Sequence, residues 1–425
     1  MSDIERQTEG ADAALLRGLT EARLSRGQLL RRAGVGAAGF GLSGLLAACG
    51  VGGSSGGATA TVSASASADT VGSAAWWAKQ KKAGVLDFAN WPLYIDTDHG
   101  KHPSLQQFTK QTGITVNYKE VIQDNAPFYA KVAPSLQAGQ GTGYDIIVMT
   151  NGWYLTELIN HKWLVPLDLS RLPNFEQHAS SIVKSPDYDQ GNTYTVAWQS
   201  GFTGIAYNPK LTGRDITSVN DLWDPKFKGH VGMMSDNTEL GSVGLLKLGI
   251  DPATSSEADW HKAANVLQQQ RSKGLVRQYY DQSYVKALEN GDTWITQAWS
   301  GDIFQAQASG YPHLKFVVPK EGVMHWTDNM MIPMHAKHPV DALTWMNFYY
   351  QPKIAAEVED WVNYICPVPA AKQIIAKQLD DPAVAKSPLV FPTPAMDAKA
   401  RDYYTFKDYG EFNTWNGIFD PIIQS

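Results

Sequence analysis

The chain has 425 residues, of which 36 are Lys or Arg and 42 are Asp or Glu, so its formal net charge is −6. This slightly acidic balance, without a block of basic residues, argues against a nucleic-acid-binding protein. Hydrophobic residues make up 43% of the chain, and the part beyond residue 85 is long enough to bury the cores of two domains.

The first 48 residues have the layout of a secretory signal peptide. Four arginines, the last of them Arg32, precede an uncharged apolar run over 33–48. This run is shorter than the roughly 20 residues that a membrane-spanning helix needs. It leads into Cys49 through Leu-Ala-Ala, which resembles the lipobox of bacterial lipoproteins, so we expect lipid to be attached to the Cys49 thiol. An incomplete twin-arginine motif over 25–30 leaves the export route open.

Residues 49–75 are predicted to form a flexible tether. They are nearly all Gly, Ser, Ala, Thr and Val, which bury too little apolar area to offset the entropy lost on ordering. We therefore expect a body that is lipid-anchored on the outer face of the cell membrane, or periplasmic. Cys366 is the one further cysteine, so the body cannot form an intramolecular disulfide.

The body begins with alternating strands and helices. Apolar runs predict three strands and helical periodicity predicts two helices, in the order 85–89, 102–112, 114–118, 125–138 and 145–149. This β-α-β-α-β order predicts a doubly wound α/β unit, in which ligands bind at the carboxyl ends of the strands. Trp91 and Thr150 come just after two of these strands, so both are candidate pocket residues.

A second α/β stretch follows Trp198. The predicted elements are strands over 204–208, 231–234, 291–299, 314–319 and 329–333, and helices over 236–248 and 340–350. The helix over 340–350 is predicted to be amphipathic. The tail after Pro369 is predicted to be helical at first and then irregular.

Two tryptophans late in the chain are each followed closely by an acid. Trp299 precedes Asp302, and Trp326 precedes Asp328. An aromatic face attracts an organic ammonium ion by about 0.5–2 kcal/mol per contact, and a carboxylate accepts its charge-assisted hydrogen bonds. These pairs predict a pocket for an organic cation. The alternative for each pair is a packed tryptophan beside an acid that caps a helix.

Eight short motifs follow one another along the body. They are LDFANWPLYI at 86–95, YDIIV at 144–148, TGIAYN at 203–208, DLWDPKFKG at 221–229, AWSGD at 298–302, PKEG at 319–322, WTD at 326–328 and NY at 363–364. In this order they resemble the spermidine/putrescine-binding proteins that serve ABC importers. The resemblance covers most of the body, from residue 86 to about residue 376.

The resemblance implies a two-lobed α/β fold of the type II periplasmic-binding-protein kind, with mixed sheets flanked by helices and a hinge between the lobes. Lobe 1 would comprise 86–198 plus 326–372, and lobe 2 would comprise 199–325 plus 373–425. The chain would cross between lobes near Trp198, near Trp326 and near Lys372. The expected partners are a polyamine and an ABC transporter permease. We expect a monomer without enzymatic activity, metal or cofactor.

The resemblance also implies a set of ligand contacts, which are Trp91, Tyr94, Thr150, Asp236, Glu239, Trp299, Asp302, Trp326, Asp328 and Tyr364. A buried ammonium group needs a carboxylate partner. We expect Asp302 and Asp328 at one end of the ligand and Glu239, together with Asp236, at the other. The alternative for Asp236 and Glu239 is that they complement the dipole at a helix N-terminus.

Two departures from the family pattern bear on the length of the ligand. An acid that some spermidine-binding members carry is replaced here by Pro92-Leu93. The spacing from Trp299 to Asp302 is closer to that of the putrescine-binding members. The resemblance therefore favours a diamine over a triamine.

Other functions compete with this interpretation. An exported hydrolase is disfavoured because neither Gly-x-Ser-x-Gly nor His-Glu-x-x-His occurs. The same fold binding another organic cation, or a ferric ion through adjacent tyrosines, is the closer alternative. The pairs Tyr279-Tyr280, Tyr349-Tyr350 and Tyr403-Tyr404 are the candidates for ferric ligands.

Overall fold

The computed structural model describes residues 70–123 and 125–424. The predicted signal peptide, Cys49 and the tether up to residue 69 lie outside these residues. Within the described part of the chain, no helix combines the length and the apolar character that a membrane span requires.

Ten strands form one continuous sheet. They are β1 (Val85–Asn90), β2 (Thr115–Glu120), β3 (Ile146–Thr150), β4 (Thr195–Tyr207), β5 (Val231–Met234), β6 (Val276–Tyr280), β7 (Ile295–Trp299), β8 (Lys315–Val317), β9 (Val323–Met331) and β10 (Ala400–Arg401). The strand order is β2-β1-β3-β9-β4-β7-β5-β6, with β10 beside β9 and β8 beside β4.

The sheet consists of two groups of parallel strands joined by two long antiparallel strands. β1, β2 and β3 are parallel to one another, and so are β5, β6 and β7. Between these groups, β9 pairs antiparallel with β3 and with β4, and β4 pairs antiparallel with β7. Parallel strands need crossover connections, which the helices supply.

Sixteen α-helices flank the sheet within the described residues. They are α1 (Ala74–Lys79), α2 (Pro103–Thr112), α3 (Asn125–Gln137), α4 (Trp153–Asn160), α5 (Pro173–His178), α6 (Pro209–Thr212), α7 (Asn237–Lys247), α8 (Glu257–Ser272), α9 (Tyr284–Glu289), α10 (Ser300–Ala308), α11 (Pro339–Tyr349), α12 (Pro352–Val362), α13 (Ala371–Lys377), α14 (Pro382–Lys386), α15 (Pro394–Asp397) and α16 (Tyr409–Gln424). Short 3₁₀ turns lie at Leu169–Arg171, Ser181–Val183, Gln190–Asn192, Val219–Trp223, Pro225–Phe227 and Pro252–Thr254.

The predicted α/β class is confirmed, and several elements begin or end within a few residues of their predicted limits. For example, α2 ends at Gly113 as predicted, because Gly113 adopts φ = 71° and its N–H bonds to the carbonyl of Thr109 at 2.8 Å. A left-handed conformation of this kind is accessible to glycine at little cost.

Four sequence predictions were wrong in extent or in kind. β9 begins six residues before the predicted strand at 329–333 and ends two residues before its predicted end, at Met331. β4 begins nine residues before the predicted strand at 204–208, because its first half mixes polar and apolar residues that are all buried and lacks an alternating pattern. The helix predicted to be amphipathic, α11, is buried on most sides around Trp345. The tail predicted to be irregular contains the 16-residue helix α16, whose Trp415 and Phe419 are buried despite Pro421 near its end.

Candidate functional site

The two groups of parallel strands point their carboxyl ends toward each other across β4. On one side β3 ends at Thr150, which pairs with Asp328, and Asp328 also pairs with Gln199 of β4. On the other side β7 ends at Trp299, which pairs with Thr203 of β4. Gln199 and Thr203 are separated by about 13 Å along the strand. Because ligands bind beyond the carboxyl ends of strands in open α/β sheets, this stretch of β4 marks the candidate site.

Asp328 is the most buried of the predicted ligand carboxylates, with a relative exposure of 1%. The Tyr94 hydroxyl donates to one of its oxygens at 2.5 Å, and the Thr150 hydroxyl donates to the other at 2.6 Å. Asn125 holds Thr150 in place, since its side-chain amide donates to the Thr150 hydroxyl at 3.0 Å. These two hydroxyl donors fix the orientation of the Asp328 carboxylate.

The loop after β1 brings Trp91 and Tyr94 to the site. The Asn90 side chain accepts the Trp91 backbone N–H at 2.8 Å, and the Trp91 indole donates to the carbonyl of Val148 in β3 at 3.0 Å. The carbonyl of Tyr94 accepts the indole N–H of Trp198 at 3.0 Å. These contacts tie the loop to β3 and β4, so both aromatic rings are buried beside the strand ends.

Tyr364 and Trp326 form an aromatic wall beside the central strands. The ring of Tyr364 lies edge-on to Tyr94 at a centroid distance of 5.7 Å and edge-on to Trp326 at 5.5 Å. The next residue, Ile365, exchanges both backbone hydrogen bonds with Ser200 of β4. This short bridge fixes the position of Tyr364.

Two glycines leave room for these rings. Gly201 of β4 pairs with Trp326, and a Cβ at Gly201 would lie 2.2 Å from Cζ2 of that indole. A Cβ at Gly301 would lie 2.7 Å from Cε1 of Tyr364. Real Cβ atoms do not approach this closely, so both rings pack directly on backbone that only glycine provides.

Asp302 is buried in the first turn of α10. It accepts hydrogen bonds from the hydroxyls of Tyr284 at 2.8 Å and Tyr364 at 3.3 Å. The Tyr284 hydroxyl also accepts the backbone N–H of Trp299 at 2.9 Å, which ties the end of β7 to the same carboxylate. Burial, followed by the charge of Asp302, raises the pKa of Tyr284 well above its usual value. Tyr284 therefore remains a hydrogen-bond donor to Asp302.

Glu239 is the third buried carboxylate and lies in the first turn of α7. Its Oε1 accepts hydrogen bonds from the hydroxyls of Thr203 at 2.7 Å and Tyr403 at 2.6 Å, and from the Trp299 indole at 3.2 Å. Its Oε2 is buried and has no hydrogen-bond partner among the described residues. A buried oxygen without a donor is unusual in proteins, and an ammonium group is a donor that would complete it.

Glu239 is expected to be partly protonated and partly ionised near pH 7. Burial raises its pKa to about 7, and the charge of Asp236 adds to the rise, whereas the three hydrogen bonds to Oε1 oppose it. A positive charge near the carboxylate favours the ionised form. Binding of an ammonium group at Glu239 is therefore expected to release a proton near pH 7.

The structure brings most of the predicted ligand residues into one network. With Tyr284 as a link, direct ring contacts and hydrogen bonds connect Thr150, Asp328, Tyr94, Trp326, Tyr364, Asp302, Trp299 and Glu239. Trp91 lies in the same loop as Tyr94. Asp236 is exposed and caps α7, because its carboxylate accepts the Glu239 backbone N–H at 2.9 Å.

The partners of the tryptophans differ in one respect from the sequence prediction. Trp299 was paired with Asp302, but its indole donates to Glu239, and the hydrogen bonds to Asp302 come from tyrosines. The chain passes from β7 into α10 between Trp299 and Asp302, so the two side chains do not follow the alternation of one strand. Neighbouring positions in the sequence therefore did not predict which ring would meet which acid.

Three residues of the network were missed from the sequence as site residues, namely Thr203, Tyr284 and Tyr403. Thr203 falls inside the motif at 203–208, so the resemblance could have identified it as a candidate site residue. Tyr403 was considered only within an adjacent tyrosine pair. Its partner in the structure, Glu239, is 164 positions away along the chain, and no local pattern reports a contact over that distance.

At Tyr279-Tyr280, a nearby positive charge opposes the ferric alternative. The guanidinium of Arg271 lies 5.5 Å from the ring of Tyr279, and a fixed positive charge opposes a second cation nearby. In residues 70–123 and 125–424, one trio of His, Cys, Asp or Glu side chains could share a metal ion, namely Asp87, Asp145 and His338. Both Asp145 oxygens already accept hydrogen bonds from the other two residues of that trio.

The chain matches a known protein family, and several known proteins are similar to it over most of their length. The family model described as "bacterial extracellular solute-binding protein" matches residues 104–392. The spermidine/putrescine-binding periplasmic protein 1 of Haemophilus influenzae is 31% identical over 314 residues, which cover 73% of this chain and 85% of that protein. The putrescine-binding periplasmic protein SpuD of Pseudomonas aeruginosa is 30% identical over 355 residues, which cover 79% and 90%. These relatives confirm the resemblance that the eight motifs predicted.

Solved structures confirm the fold. The spermidine/putrescine ABC transporter substrate-binding protein PotD of Streptococcus pneumoniae aligns with a TM-score of 0.69 at 24% identity, over 80% of this chain and 98% of that one. The Tp0655 lipoprotein of Treponema pallidum aligns with a TM-score of 0.65 at 21% identity, over 80% and 99%. The mixed α/β architecture is thus that of periplasmic binding proteins.

Proposed function

Because the chain belongs to the bacterial extracellular solute-binding protein family, we propose that it binds a linear polyamine, putrescine or spermidine, and delivers it to an ABC transporter permease. It is a binding protein and not an enzyme. The ligand would lie across β4, between the carboxyl ends of the two groups of parallel strands. The relatives named for spermidine and putrescine support this choice of ligand.

The observation that carries the proposal is the set of three buried carboxylates at one site. Asp328, Asp302 and Glu239 have relative exposures of 1%, 5% and 6%. An ammonium group is a partner that a buried carboxylate favours, and here three carboxylates lie in one network of aromatic rings. A linear polyamine supplies several positive charges separated by methylene groups that pack on such rings.

The number of carboxylates bears on the length of the ligand. In place of the expectation that Asp302 and Asp328 share one end of the ligand, we propose that each of them binds its own ammonium group in any polyamine. Glu239 would bind a third. With a diamine, Glu239 would keep its proton, which its pKa of about 7 allows. With a triamine, Glu239 would ionise and accept the third ammonium group at Oε2. This arrangement accommodates both ligands and favours the triamine at alkaline pH.

We also propose the lobe boundaries that the resemblance implies. Lobe 1 would comprise 86–198 plus 326–372, and lobe 2 would comprise 199–325 plus 373–425. The first two crossings would lie within β4 and β9, which run side by side. The bridge between Ser200 and Ile365 suggests that a third connection lies at Ile365, a few residues before Lys372. Closure would then be a population shift that a ligand contacting both lobes favours.

Isothermal titration of residues 76–425 with putrescine, spermidine and spermine tests the function directly. We expect micromolar or tighter binding of at least one of the three, with one ligand per chain. Arginine and ferric citrate are the controls, because one is a cation with a carboxylate and the other carries iron. Folded protein that binds none of the three polyamines would overturn the proposed ligand class.

We further propose that Cys49 carries a lipid that anchors the protein on the outer face of the membrane. The lipobox-like sequence before it supports this proposal. We expect Cys49→Ala to move nearly all of the protein from the membrane fraction into the medium or the soluble periplasmic fraction, because no helix in residues 70–123 and 125–424 is long and apolar enough to span a membrane. Fractionation with immunoblotting checks this prediction, and Cys366→Ala is the matched control. Unchanged membrane association of the Cys49 variant would contradict the anchor.

A further inference from the structure

The C-terminal segment reaches Glu239 because β10 fixes its position. Arg401 of β10 pairs with Met324 of β9, and Met324 also pairs with Thr203 of β4. These three residues form one row across the sheet. Tyr403 follows two residues after Arg401, in the loop beyond β10. Its hydroxyl therefore approaches the Glu239 carboxylate from this loop, whereas the Thr203 hydroxyl approaches it from β4.

We propose that Tyr403 is a positioning residue of the binding site, which holds Glu239 so that its Oε2 alone faces the terminal ammonium group of a triamine. The two oxygens of the Glu239 carboxylate differ in their partners. Oε1 accepts hydrogen bonds from three donors, whereas Oε2 has no donor among the described residues. The inference rests on the proposed polyamine-binding function. It goes beyond that function by assigning the residue that selects for a third ammonium group.

Few titratable groups face Glu239. From its own helix comes Asp236, whose charge opposes ionisation, and from the C-terminal segment comes Tyr403, whose hydrogen bond favours it. The donors from β4 and β7, Thr203 and Trp299, are uncharged. Burial and the neighbouring Glu239 raise the pKa of Tyr403 well above its usual value, so Tyr403 stays protonated and acts only as a donor.

The loss of this one hydroxyl therefore has a defined consequence. In Tyr403→Phe the ring remains, but the ionised form of Glu239 loses a hydrogen bond, and its pKa rises. Since Glu239 must be ionised to bind the third ammonium group, spermidine affinity falls by up to about tenfold for each pH unit below this pKa. The fall ends at the affinity of a ligand that only Asp328 and Asp302 bind. The pH midpoint of spermidine binding should then move upward by about one unit in the variant.

The experiment compares wild type with Tyr403→Phe and with Tyr404→Phe. Tyr404 is the matched control, because it is the adjacent tyrosine and its hydroxyl donates to Glu411 at 2.8 Å. The carboxyl carbon of Glu239 is followed by NMR in ligand-free protein across pH 5–9, and spermidine and putrescine affinities are measured over the same range. Thr203→Val provides an independent test if Tyr403→Phe fails to fold.

The expected result has three parts. In ligand-free protein the titration midpoint of Glu239 rises in Tyr403→Phe and is unchanged in Tyr404→Phe. The pH curve of spermidine affinity moves by the same amount, whereas putrescine affinity changes little. Glu239→Gln removes the pH dependence of spermidine binding in this range, and adding Tyr403→Phe to it has no further effect on that dependence.

Two outcomes would overturn the inference. One is an unchanged Glu239 midpoint in folded Tyr403→Phe, and the other is a loss of affinity that is equal for both ligands at every pH, as a purely structural role would produce. Failure of the proposed function is distinguishable from both. In that case wild-type protein would bind no polyamine, while the ligand-free NMR titration would still report whether Tyr403 positions Glu239.

Discussion

Replacing Asp328 by Asn is expected to weaken polyamine binding by roughly 30-fold to several thousand-fold. Asp328 is almost fully buried and accepts hydrogen bonds from Tyr94 and Thr150. Asn retains an acceptor but removes the charge, so an ammonium group in contact with it would lose about 2–5 kcal/mol of binding free energy. Isothermal titration against putrescine and spermidine measures this loss.

Asp236→Asn is the comparison for that experiment. Asp236 is exposed at the start of α7, and Asn is an equally good residue at the N-cap of a helix. We expect this variant to change affinity much less than Asp328→Asn does, since exposed charges are screened by solvent. Both variants should unfold within a few degrees of wild type. Wild-type affinity in Asp328→Asn would remove Asp328 from the site.

Replacing Gly201 by Ala is expected to damage both the fold and the site. The added Cβ would lie 2.2 Å from the Trp326 indole, whose ring packs on β4 at this point. The indole and the strand must move apart, and overpacking of this kind typically costs about 1–3 kcal/mol of the free energy of unfolding. Displacing Trp326 also alters the aromatic wall, so we expect at least tenfold weaker polyamine binding in the same variant.

Gly417→Ala is the control for the replacement of a glycine by alanine. Gly417 lies in α16, and a Cβ there would meet no heavy atom within 4 Å. Alanine in a helix is favoured over glycine by up to about 1 kcal/mol, so this variant should be as stable as wild type or slightly more so. Denaturant unfolding of the two variants, followed by titration, separates packing at Trp326 from a general intolerance of alanine. Equal stability of both would contradict the predicted clash.

Local sequence patterns predicted the first half of the fold well because its signals are local. β1 and β3 are apolar runs beside glycines and polar turns, and α2 ends at a glycine that adopts the left-handed conformation. Each of these signals lies within a few residues of the element that it defines. The same holds for the motif around Trp91, which follows directly after β1.

The parts that were not predicted depend on distant neighbours. The first half of β4 contains Gln199 and Ser200, which are fully buried only because β9 and the segment around Ile365 cover them. The acid that meets Trp299 is set by the arrangement of α7 against β7, and the sequence near Trp299 does not encode it. Pattern analysis cannot locate such contacts, because the alternation of polar and apolar residues reports one element at a time.

The two central strands also limit how the molecule can deform. β4 and β9 are paired continuously from Gln199 to Thr203, between the two groups of parallel strands. Rotation of one group against the other would therefore act as torsion on a short hydrogen-bonded ribbon. Such a ribbon stores elastic energy as it twists and returns it on release. Its amide protons should resist exchange with solvent equally in the empty and the ligand-bound protein.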